Sequence, residues 1–536
     1  MKIQHGLLLA VLAGVAASSN AAAQSIGPST TTEPYLLPSR SGVSTKSILT
    51  TGDSIGGYRM VGIPDGMGAF STTAFGQPAN FDLVMHHELG ATSGVVRSHG
   101  SRGAFVSRWT IERSTQRVVS GRDMITSAST LRLWNGSAYA AGTTAFDRFC
   151  SADMAPASAY NYNNTLGTPQ RIFLSGEETS PPFANDHGRA FANIATGPNA
   201  GTTYQLPRLG RVAYENTLAS PFSQAKTVVM TSDDADRETG VTSNICTTAG
   251  QTGCNAPPSE LHMYVGTKLS TGTEVERAGL TNGNLYGIRV RVNDAVVPFE
   301  NPNNVFSTSA PAVTSGRFEA VNLGDVSNRT GNQLQLDDVA NQITQFIRIE
   351  DGAWDPRAGK QNDYYFVTTG RLTTSSSTWR ASRLWRLRFD DITNPTAGGT
   401  IELLLQNQFF TGAGSTPNDD PTYQMFDNLS IDSLGRIILQ EDVGGNDRLG
   451  RVYVYGIDSR NLVEIARHNA KFFGGNAATN PNFLTNDEES SGVIDASSFL
   501  GAGWFLLTVQ NHRPSADTTL VEGGQLIAMF VDPSIK

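Results

Sequence analysis

The chain has 536 residues, of which 39% are hydrophobic and 17% are charged, and this composition is typical of a folded globular protein. Its 49 acidic and 40 basic residues give a formal net charge of −9. Such a balance leaves no positive field to attract a phosphate backbone, so we expect no nucleic-acid partner.

Residues 1–24 have the pattern of a secretory signal peptide. Lys2 gives a cationic start, an apolar stretch follows from Leu7 to Ala17, and the segment ends in small residues. No later segment offers about 18 consecutive apolar residues, so we expect no membrane span. No twin-arginine pair precedes the apolar stretch, which favours Sec-type export. We therefore expect the mature protein in the periplasm or outside the cell. We also expect it to be monomeric.

The next segment, 25–47, is rich in Ser, Thr and Pro without periodicity, and it is interpreted as an extended lead-in. Beyond it, alternating or β-branched runs predict strands at 285–294, 364–369, 385–389, 436–440, 452–455 and 504–509. A helix is predicted at 335–347, where Val339, Ile343 and Phe346 have helical spacing.

Residues 431–439 form a recurring kind of unit, in which a strand, a tight glycine turn and another strand follow one another. Hairpins of this kind, repeated without sequence identity, are typical of propeller blades of about 40–50 residues. We therefore predict an all-β chain whose residues 48–536 form a single β-propeller domain of about six blades. A large β-sandwich and two stacked β-domains are the alternative architectures.

Three cysteines in an exported protein form an odd number. Cys246 and Cys254 share a short polar stretch that contains glycine, which predicts a local disulfide in an oxidising compartment. Cys150 is left over, either as a small buried apolar residue or as a thiolate that binds a metal. Composition alone favours the buried apolar residue.

Carboxylates gather where loops meet strands. The clusters contain Glu88, Glu177 and Glu178, Glu215, Asp233 and Asp234, Glu350 and Asp351, Asp427, Glu441 and Asp442, and Glu488 and Glu489. Calcium takes about six to eight oxygen ligands, which a propeller supplies by aiming one loop from each blade at its central channel. For any single pair, a solvated turn is the simpler interpretation. The sequence contains no serine-hydrolase elbow, zincin motif or phosphate-binding loop of the usual spacing.

Taken in order, these motifs resemble those of the PhoX-type alkaline phosphatases. The resemblance is carried by His86-His87-Glu88, Phe149-Cys150-Ser151, Thr168-Pro169, Glu177-Glu178, Gly210-Arg211 through Glu215, Asp233-Asp234, Arg348-Ile349-Glu350-Asp351, Asp427-Asn428, Asp432 to Arg436, Glu489 to Gly492 and Gln510 to Pro514. The order holds across most of the mature chain. The chain departs from the family pattern at Ile349, where the family has Pro, and at Asn511, which is inserted before the His.

The resemblance implies a secreted β-propeller enzyme whose site holds calcium and iron ions. It implies that Cys150 binds iron, which makes a ligand role the preferred interpretation of the unpaired thiol. The implied metal-binding residues are Cys150, Glu88, Glu177, Glu178, Glu215, Asp233, Asp234, Glu350 and Glu489. Arg348 is the expected catalytic residue, because a planar guanidinium can grip phosphoryl oxygens with two prongs. A Sec substrate takes up its metals outside the cell, where ferric iron is scarce, which favours calcium.

The sequence therefore predicts a metal-dependent phosphomonoesterase that acts on small phosphate esters. Two alternatives come from other classes. One is a non-catalytic, calcium-stabilised propeller that binds a glycan or a protein, and the other is a calcium-only propeller hydrolase of the phytase or lactonase type.

Overall fold

Strands dominate the computed structural model, which describes residues 23–71, 80–179, 186, 188–235, 259–301, 305–307, 311–370, 382–407, 423–445 and 448–536. The α-helices of these residues are short: Glu274–Arg277, Gly331–Ala340, Ala470–Phe473 and Ser497–Leu500. Single turns of 3₁₀-helix lie at Ala128–Thr130, Ala157–Ala159, Pro207–Leu209 and Pro395–Ala397. The predicted all-β class is confirmed. No helix of the described residues is long and apolar enough to cross a membrane.

Most strands belong to five sheets, named here A to E. Sheet A contains Pro64–Phe70, Asn80–His87, Phe105–Glu112 and Val118–Asp123. Sheet B contains Leu131–Trp134, Tyr139–Ala141, Ile172–Gly176, Ala190–Ile194 and Thr203–Gln205. Sheet D contains Leu36–Pro38, Phe426–Ile431, Arg436–Glu441, Arg451–Gly456 and Leu462–His468. Sheet E contains Ala23–Ile26, Val43–Thr50, Glu488–Asp495, Trp504–Asn511 and Gly523–Val531.

Sheet C has eleven strands and divides into two halves. The first half contains Tyr214–Ala219, Lys226–Asp233, Ser259–Thr267 and Asn284–Val292, and the second contains Ile349–Trp354, Asp363–Thr368, Arg383–Phe389 and Gly399–Gln406. The strand Ser315–Gly324 pairs with the last strand of each half and so joins them. Short strands lie at Ala295–Val297 and Gln345–Phe346, and two-stranded hairpins lie at Ser54–Ile55 with Tyr58–Arg59 and at Asn161–Tyr162 with Leu166–Gly167.

All six strand runs predicted from alternation or β-branching are strands in the structure, each within a few residues of its expected bounds. The predicted hairpin is also present, with Ile431 ending one strand, Arg436 starting the next and Gly435 in the turn at φ 77°. Glycine suits this left-handed position because it has no Cβ to clash with the backbone. The local sequence pattern of apolar alternation and glycine turns was therefore sufficient to predict these elements.

Six segments form the inner edges of the sheets, and we call them the inner segments. They are Pro64–Phe70, residues 149–154, Tyr214–Ala219, Ile349–Trp354, Phe426–Ile431 and Glu488–Asp495. Residues 149–154 lie beside Ile172–Gly176 of sheet B, joined to it by a bridge from Phe149 to Glu177. Near their other end, Arg171 Nη2 donates to Met154 O at 3.1 Å.

Each inner segment is hydrogen-bonded to the next, and the last returns to the first. The bonds run from Gly66 N to Cys150 O (3.3 Å), Ser151 Oγ to Glu215, Asn216 Nδ2 to Asp351 Oδ1 (2.5 Å), Leu429 N to Asp351 Oδ2 (3.0 Å), Gly492 N to Asn428 Oδ1 (2.8 Å) and Ser491 Oγ to Asp65. The six segments therefore surround a common centre.

The hydrophobic core follows the same order. Six buried clusters each contain residues from two consecutive sheets or halves of a sheet: Val106 and Phe191, Leu174 and Val229, Met263 and Trp385, Val367 and Leu439, Val454 and Ile527, and Leu506 and Trp109. Burial of apolar surface between neighbouring sheets stabilises this arrangement and holds the inner segments in place.

The segment expected to be an extended lead-in belongs to the sheets. Leu36–Pro38 pairs with Leu462–His468, and Val43–Thr50 pairs with Gly523–Val531, so the N-terminal residues complete sheets D and E. The expected domain boundary at residue 48 falls inside the second of these strands. The Ser/Thr/Pro-rich composition of this segment contains no apolar periodicity that would mark these strands.

The helix predicted at 335–347 is shifted. It spans Gly331–Ala340 and begins at a capping box. The Thr330 side chain accepts from the Gln333 backbone N–H, and the Gln333 side chain accepts from the Thr330 backbone N–H. Ile343 and Phe346 are buried, but Phe346 lies in a strand. The apolar residues that suggested a longer helix therefore belong to three successive elements: a helix, a turn and a strand.

Lys268, just beyond the strand Ser259–Thr267, is only 1% exposed, and its Nζ donates to the Lys226 carbonyl at 2.6 Å. Burial lowers the pKa of this amine from 10.5 to about 7. Between these values the unfolded chain binds a proton that the folded chain does not, so the Lys268 contribution makes the folded state more stable as pH rises.

We therefore expect Lys268→Met to be more stable than the native protein at pH 7. Its advantage in the free energy of unfolding should shrink by up to about 1.4 kcal/mol per pH unit towards pH 10, the value for one proton. Urea titrations of both proteins at several pH values measure this difference. Parallel pH profiles for the two proteins would contradict it.

Candidate metal centre

A possible metal ligand occupies the second position of every inner segment. These residues are Asp65, Cys150, Glu215, Glu350, Asp427 and Glu489. Because the inner segments lie side by side and start at the same end of the sheets, their second residues meet there. Residues up to 424 positions apart in the sequence, Asp65 and Glu489, are thereby brought to one place.

The local backbone that presents these side chains is irregular in a repeated way. The pairing register of the inner strand shifts between Pro64 and Met67, Tyr214 and Asn216, Ile349 and Gly352, Phe426 and Leu429, and Ser491 and Ile494. A bulge of this kind bends a strand and turns a side chain out of the regular alternation. In four of these segments the shift spans the ligand position, Asp65, Glu215, Glu350 or Asp427, whereas in Glu488–Asp495 it follows Glu489.

The residue before the inner segment adds to this irregularity. It has a left-handed φ at four of the six segments, in Ile63 (49°), Arg148 (43°), Arg348 (55°) and Met425 (42°). Such values are uncommon in residues other than glycine, and are unusual above all in a β-branched residue. Strain of this kind concentrates at functional sites, where the surrounding structure enforces it.

A second layer of side chains comes from the residues that follow the next strand of each sheet. Their backbone N–H groups donate to the carbonyls that precede the inner segments: Glu88 to Ile63 (2.9 Å), Glu178 to Arg148 (2.8 Å), Asp234 to Ala213 (2.9 Å), Thr369 to Arg348 (3.0 Å), Asp442 to Met425 (3.0 Å) and His512 to Asp487 (3.4 Å). Four of these six side chains are carboxylates, so the second layer adds to the negative charge of the first.

Nine of these side chains make four overlapping groups of possible ligands. The groups are Asp65 with Glu88 and Cys150, Cys150 with Glu178 and Glu215, Glu215 with Glu350 and Asp427, and Asp427 with Asp442 and Glu489. Within each group, one ligand atom from every residue lies within 4.8 Å of the others. The groups share members, so they form one continuous arc of eight carboxylates and a thiol, called the acidic arc below.

Burial and mutual repulsion raise the pKa values of several residues of the arc. Desolvation is the main cause, and neighbouring carboxylates add to it, which places the pKa of Asp65, Glu215, Glu350 and Asp427 well above the ordinary value. The same causes raise the pKa of Glu178 to about 8 and that of Glu489 to about 7. Desolvation and nearby carboxylates also raise the pKa of the Cys150 thiol. The protein alone therefore favours protonated arc residues, and cations are needed to hold them ionised.

Two arginines and a histidine supply part of the missing positive charge. Arg148 Nη2 lies 2.8 Å from Glu88 and 2.5 Å from Glu178. Arg348 makes a two-pronged contact with Asp234, at 3.1 and 2.7 Å, and its Nη2 lies 3.2 Å from Glu350. His512 Nδ1 lies 2.8 Å from Glu522, and its Nε2 lies 3.7 Å from Glu489.

Hydrogen bonds from neutral side chains orient the arc. Ser151 Oγ donates to Glu215, and Asn428 Nδ2 donates to Asp427 at 3.1 Å. Gln510 Nε2 donates to Asp65 and to Glu88, both at 3.0 Å. Partners of this kind fix the direction of ligand side chains and are a regular feature of metal sites.

The acidic arc fits bound cations by distance and by chemistry. Ligand atoms about 2.3–2.6 Å from one calcium ion can lie at most about 5 Å apart, which the 4.8 Å limit within each group satisfies. Carboxylate oxygens suit calcium, whereas the thiol of Cys150 suits a softer transition metal. The donor set thus fits several cations, with the softer one at Cys150.

Seven of the residues proposed as metal ligands or catalytic from the sequence lie together here: Glu88, Cys150, Glu178, Glu215, Arg348, Glu350 and Glu489. Asp234 lies beside them and holds Arg348. The other two predicted ligands have different surroundings. Glu177 is fully buried and accepts from Arg189 Nε and Nη2 at 2.7 and 2.6 Å. Asp233 accepts from Ala213 N (2.9 Å) and Gln335 Nε2 (3.2 Å). Both stand outside the four groups.

Cys150 is a buried free cysteine. The predicted disulfide between Cys246 and Cys254 lies outside the described residues.

The sequence analysis placed Asp427 and Asp442 among the carboxylate clusters without assigning them as ligands, and it did not indicate Asp65. Asp65 stands in Pro64-Asp65-Gly66, which has the composition of a turn. A usable signal is the triplet that begins several inner segments, an apolar residue followed by a ligand type and a small polar residue or glycine. It occurs in Pro64-Asp65-Gly66, Phe149-Cys150-Ser151, Tyr214-Glu215-Asn216 and Phe426-Asp427-Asn428.

No protein-family model matches the chain, and no curated protein matches it in sequence. The chain is similar in structure to PhoX of Pseudomonas fluorescens, solved in complex with vanadate, a transition state analogue. The TM-score is 0.61 at 12% identity, and the match covers 96% of this chain and 97% of that one. A protein of unknown function from Dyadobacter fermentans gives a TM-score of 0.40 at 7% identity over 91% and 99% of the two chains. The likeness to PhoX shows a shared fold.

Proposed function

We propose that the protein is a secreted phosphomonoesterase, in which the acidic arc holds several metal ions at one end of a six-bladed β-propeller. The six inner segments would be the innermost strands of the blades, with residues 149–154 serving for sheet B. The observation that carries the proposal is the presence of a possible ligand at the second position of all six inner segments. PhoX of Pseudomonas fluorescens, which has a similar fold, was solved with vanadate as a transition state analogue. Vanadate has the shape and charge of a phosphoryl group during transfer.

The net reaction consumes one water. The bond between phosphorus and the alcohol oxygen of the ester breaks, a bond from phosphorus to the water oxygen forms, and a proton passes to the alcohol. Bound cations would supply Lewis-acid stabilisation of the charge on the phosphoryl oxygens and would raise the acidity of the attacking water. Calcium is proposed for the carboxylate groups, and iron or another soft transition metal for the group at Cys150.

The chain's own residues position the ester. Arg348 would donate in-plane N–H groups of its guanidinium to phosphoryl oxygens, and the two-pronged contact with Asp234 holds the plane of the guanidinium in place. Since Asp234 is 4% exposed, the charge pair lies where the dielectric constant is low and electrostatic contacts are strong. Arg348 is thereby prepared for an anion before the substrate arrives.

Phosphate release from p-nitrophenyl phosphate by the purified, calcium-replete protein tests this proposal. Glu215→Gln is the matched inactive variant, because it keeps the size of a side chain that belongs to two of the four groups. Glu276→Gln, a change at a partly exposed residue of the short helix Glu274–Arg277, is the matched control. We expect turnover in the native protein and the control, and loss of turnover in Glu215→Gln.

Absence of turnover in metal-replete native protein would contradict the proposal. It would favour a calcium-stabilised binding protein, whereas hydrolysis of lactones without phosphate release would favour a hydrolase of the lactonase type.

A further inference from the structure

Arg148 and Arg348 occupy the same position in the repeated backbone of the site. Arg148 stands directly before residues 149–154, and Arg348 directly before Ile349–Trp354. Both residues have a left-handed φ. The Arg148 carbonyl accepts from the Glu178 N–H, and the Arg348 carbonyl accepts from the Thr369 N–H. Because the backbone sets the direction in which a side chain starts, the two arginine side chains start from equivalent positions of their inner segments.

Both arginines act on the same carboxylate, that of Glu178. Arg148 Nη2 contacts Glu178 at 2.5 Å, and the positive charges of Arg148 and Arg348 both act on that carboxyl group. Cys150 and Glu215 form a ligand group with Glu178, and Glu215 shares the next group with Glu350, the partner of Arg348. The cations that these groups would hold would therefore lie near both arginines.

The Arg148 side chain is half exposed, although it contacts two largely buried carboxylates. Its Nε and Nη2 contact Glu88 and Glu178, whereas Nη1 donates to none of the residues that the structure describes. One edge of the fork thus binds the protein, and the other edge is available for an anion.

We propose that Arg148, which stands at the position equivalent to that of Arg348, is a second phosphoryl-binding arginine. Through this pair the site would select dianionic phosphate monoesters over monoanionic diesters. The inference rests on the proposed function and adds a second anion-binding residue to it. A monoester has more charge on its terminal oxygens than a diester, so it gains more from a second guanidinium.

The test compares p-nitrophenyl phosphate with bis(p-nitrophenyl) phosphate in the native protein, Arg148→Ala and Arg148→Lys, each loaded with metal to equal content. Arg59→Ala is the matched control, because Arg59 is an exposed arginine that pairs with Asp517 away from the arc. Binding of inorganic phosphate, measured by calorimetry, is a second readout that needs no turnover.

Loss of one charge-assisted contact should lower kcat/KM for the monoester about 30- to 100-fold in Arg148→Ala, with less than about a threefold change for the diester. Phosphate should bind about tenfold or more weakly. Arg148→Lys keeps the charge beside Glu88 and Glu178 without the fork, so it should hold metal like the native protein and recover only part of the phosphate affinity.

Equal losses for both esters, or an unchanged phosphate affinity, would overturn the inference. If native protein binds phosphate without hydrolysing any ester, the proposed function fails. In that case weaker phosphate binding by Arg148→Ala would still support the contact, and unchanged binding would exclude it.

Discussion

Removal of bound cations from the native protein will abolish phosphate release and destabilise the fold. Without cations, the eight carboxylates of the acidic arc repel one another in buried surroundings. An ion present at about 1,000 times its Kd stabilises the folded state by about 4 kcal/mol, so several ions should lower Tm markedly when they leave.

The metal-free protein should also acquire a distinctive pH dependence. The pKa values of Glu489 and Glu178, about 7 and about 8, exceed the ordinary value of 4.5. The folded chain therefore binds more protons than the unfolded chain between these values, so its stability will fall as pH rises from about 5 to 8. Calcium should remove much of this dependence, because it replaces the protons.

Tm and phosphate release, measured after exhaustive dialysis against EDTA at several pH values, check this prediction. Dialysis against EDTA already saturated with calcium is the matched control, and it should leave both properties unchanged. Full activity with an unchanged Tm after chelation would contradict the account.

Replacement of Arg348 by alanine will reduce catalysis far more than stability. Removal of a preorganised donor to developing charge typically costs a factor of about 10²–10³ in turnover, and we expect about 10³ for a two-pronged arginine. Arg348→Lys keeps the positive charge beside Asp234 and Glu350 but loses the planar fork, so its activity should lie between those of Arg348→Ala and the native protein.

Steady-state kinetics with p-nitrophenyl phosphate, together with the metal content of each variant, measures the effect. Asp234→Asn is an informative companion, because it removes the partner that orients Arg348 and should lower kcat/KM by a smaller factor. A metal-replete Arg348→Ala protein with kcat/KM near the native value would show that Arg348 does not contact the substrate.

The strands could be predicted where local pattern alone decides them. Trp385, Leu387 and Phe389 alternate with arginines and lie in Arg383–Phe389, with the apolar side chains buried. The segment 25–47 could not be placed, because two of its strands pair with strands more than 400 residues away in the sequence, as Leu36 does with His468 and Val43 with Val531. Local composition carries no information about such pairings.

The sequence could predict that the site consists of carboxylates and a thiol, but not which carboxylates belong to it. Glu177 and Glu178 are neighbours with the same side chain, yet only Glu178 joins the arc. Successive side chains of an extended backbone point to opposite sides, so one glutamate meets the ligands while the other meets Arg189. Asp65 was missed for the converse reason, because a lone aspartate before glycine has no acidic neighbour in the sequence to mark it.

The metal content of the purified protein, determined by elemental analysis of the native chain and of Glu215→Gln, tests the central claim most directly. Glu215 belongs to two ligand groups, so the account predicts at least two metal ions per native chain and fewer in the variant at equal folded content. A native chain that is folded and active without bound metal, or a variant with the native metal content, would contradict the account.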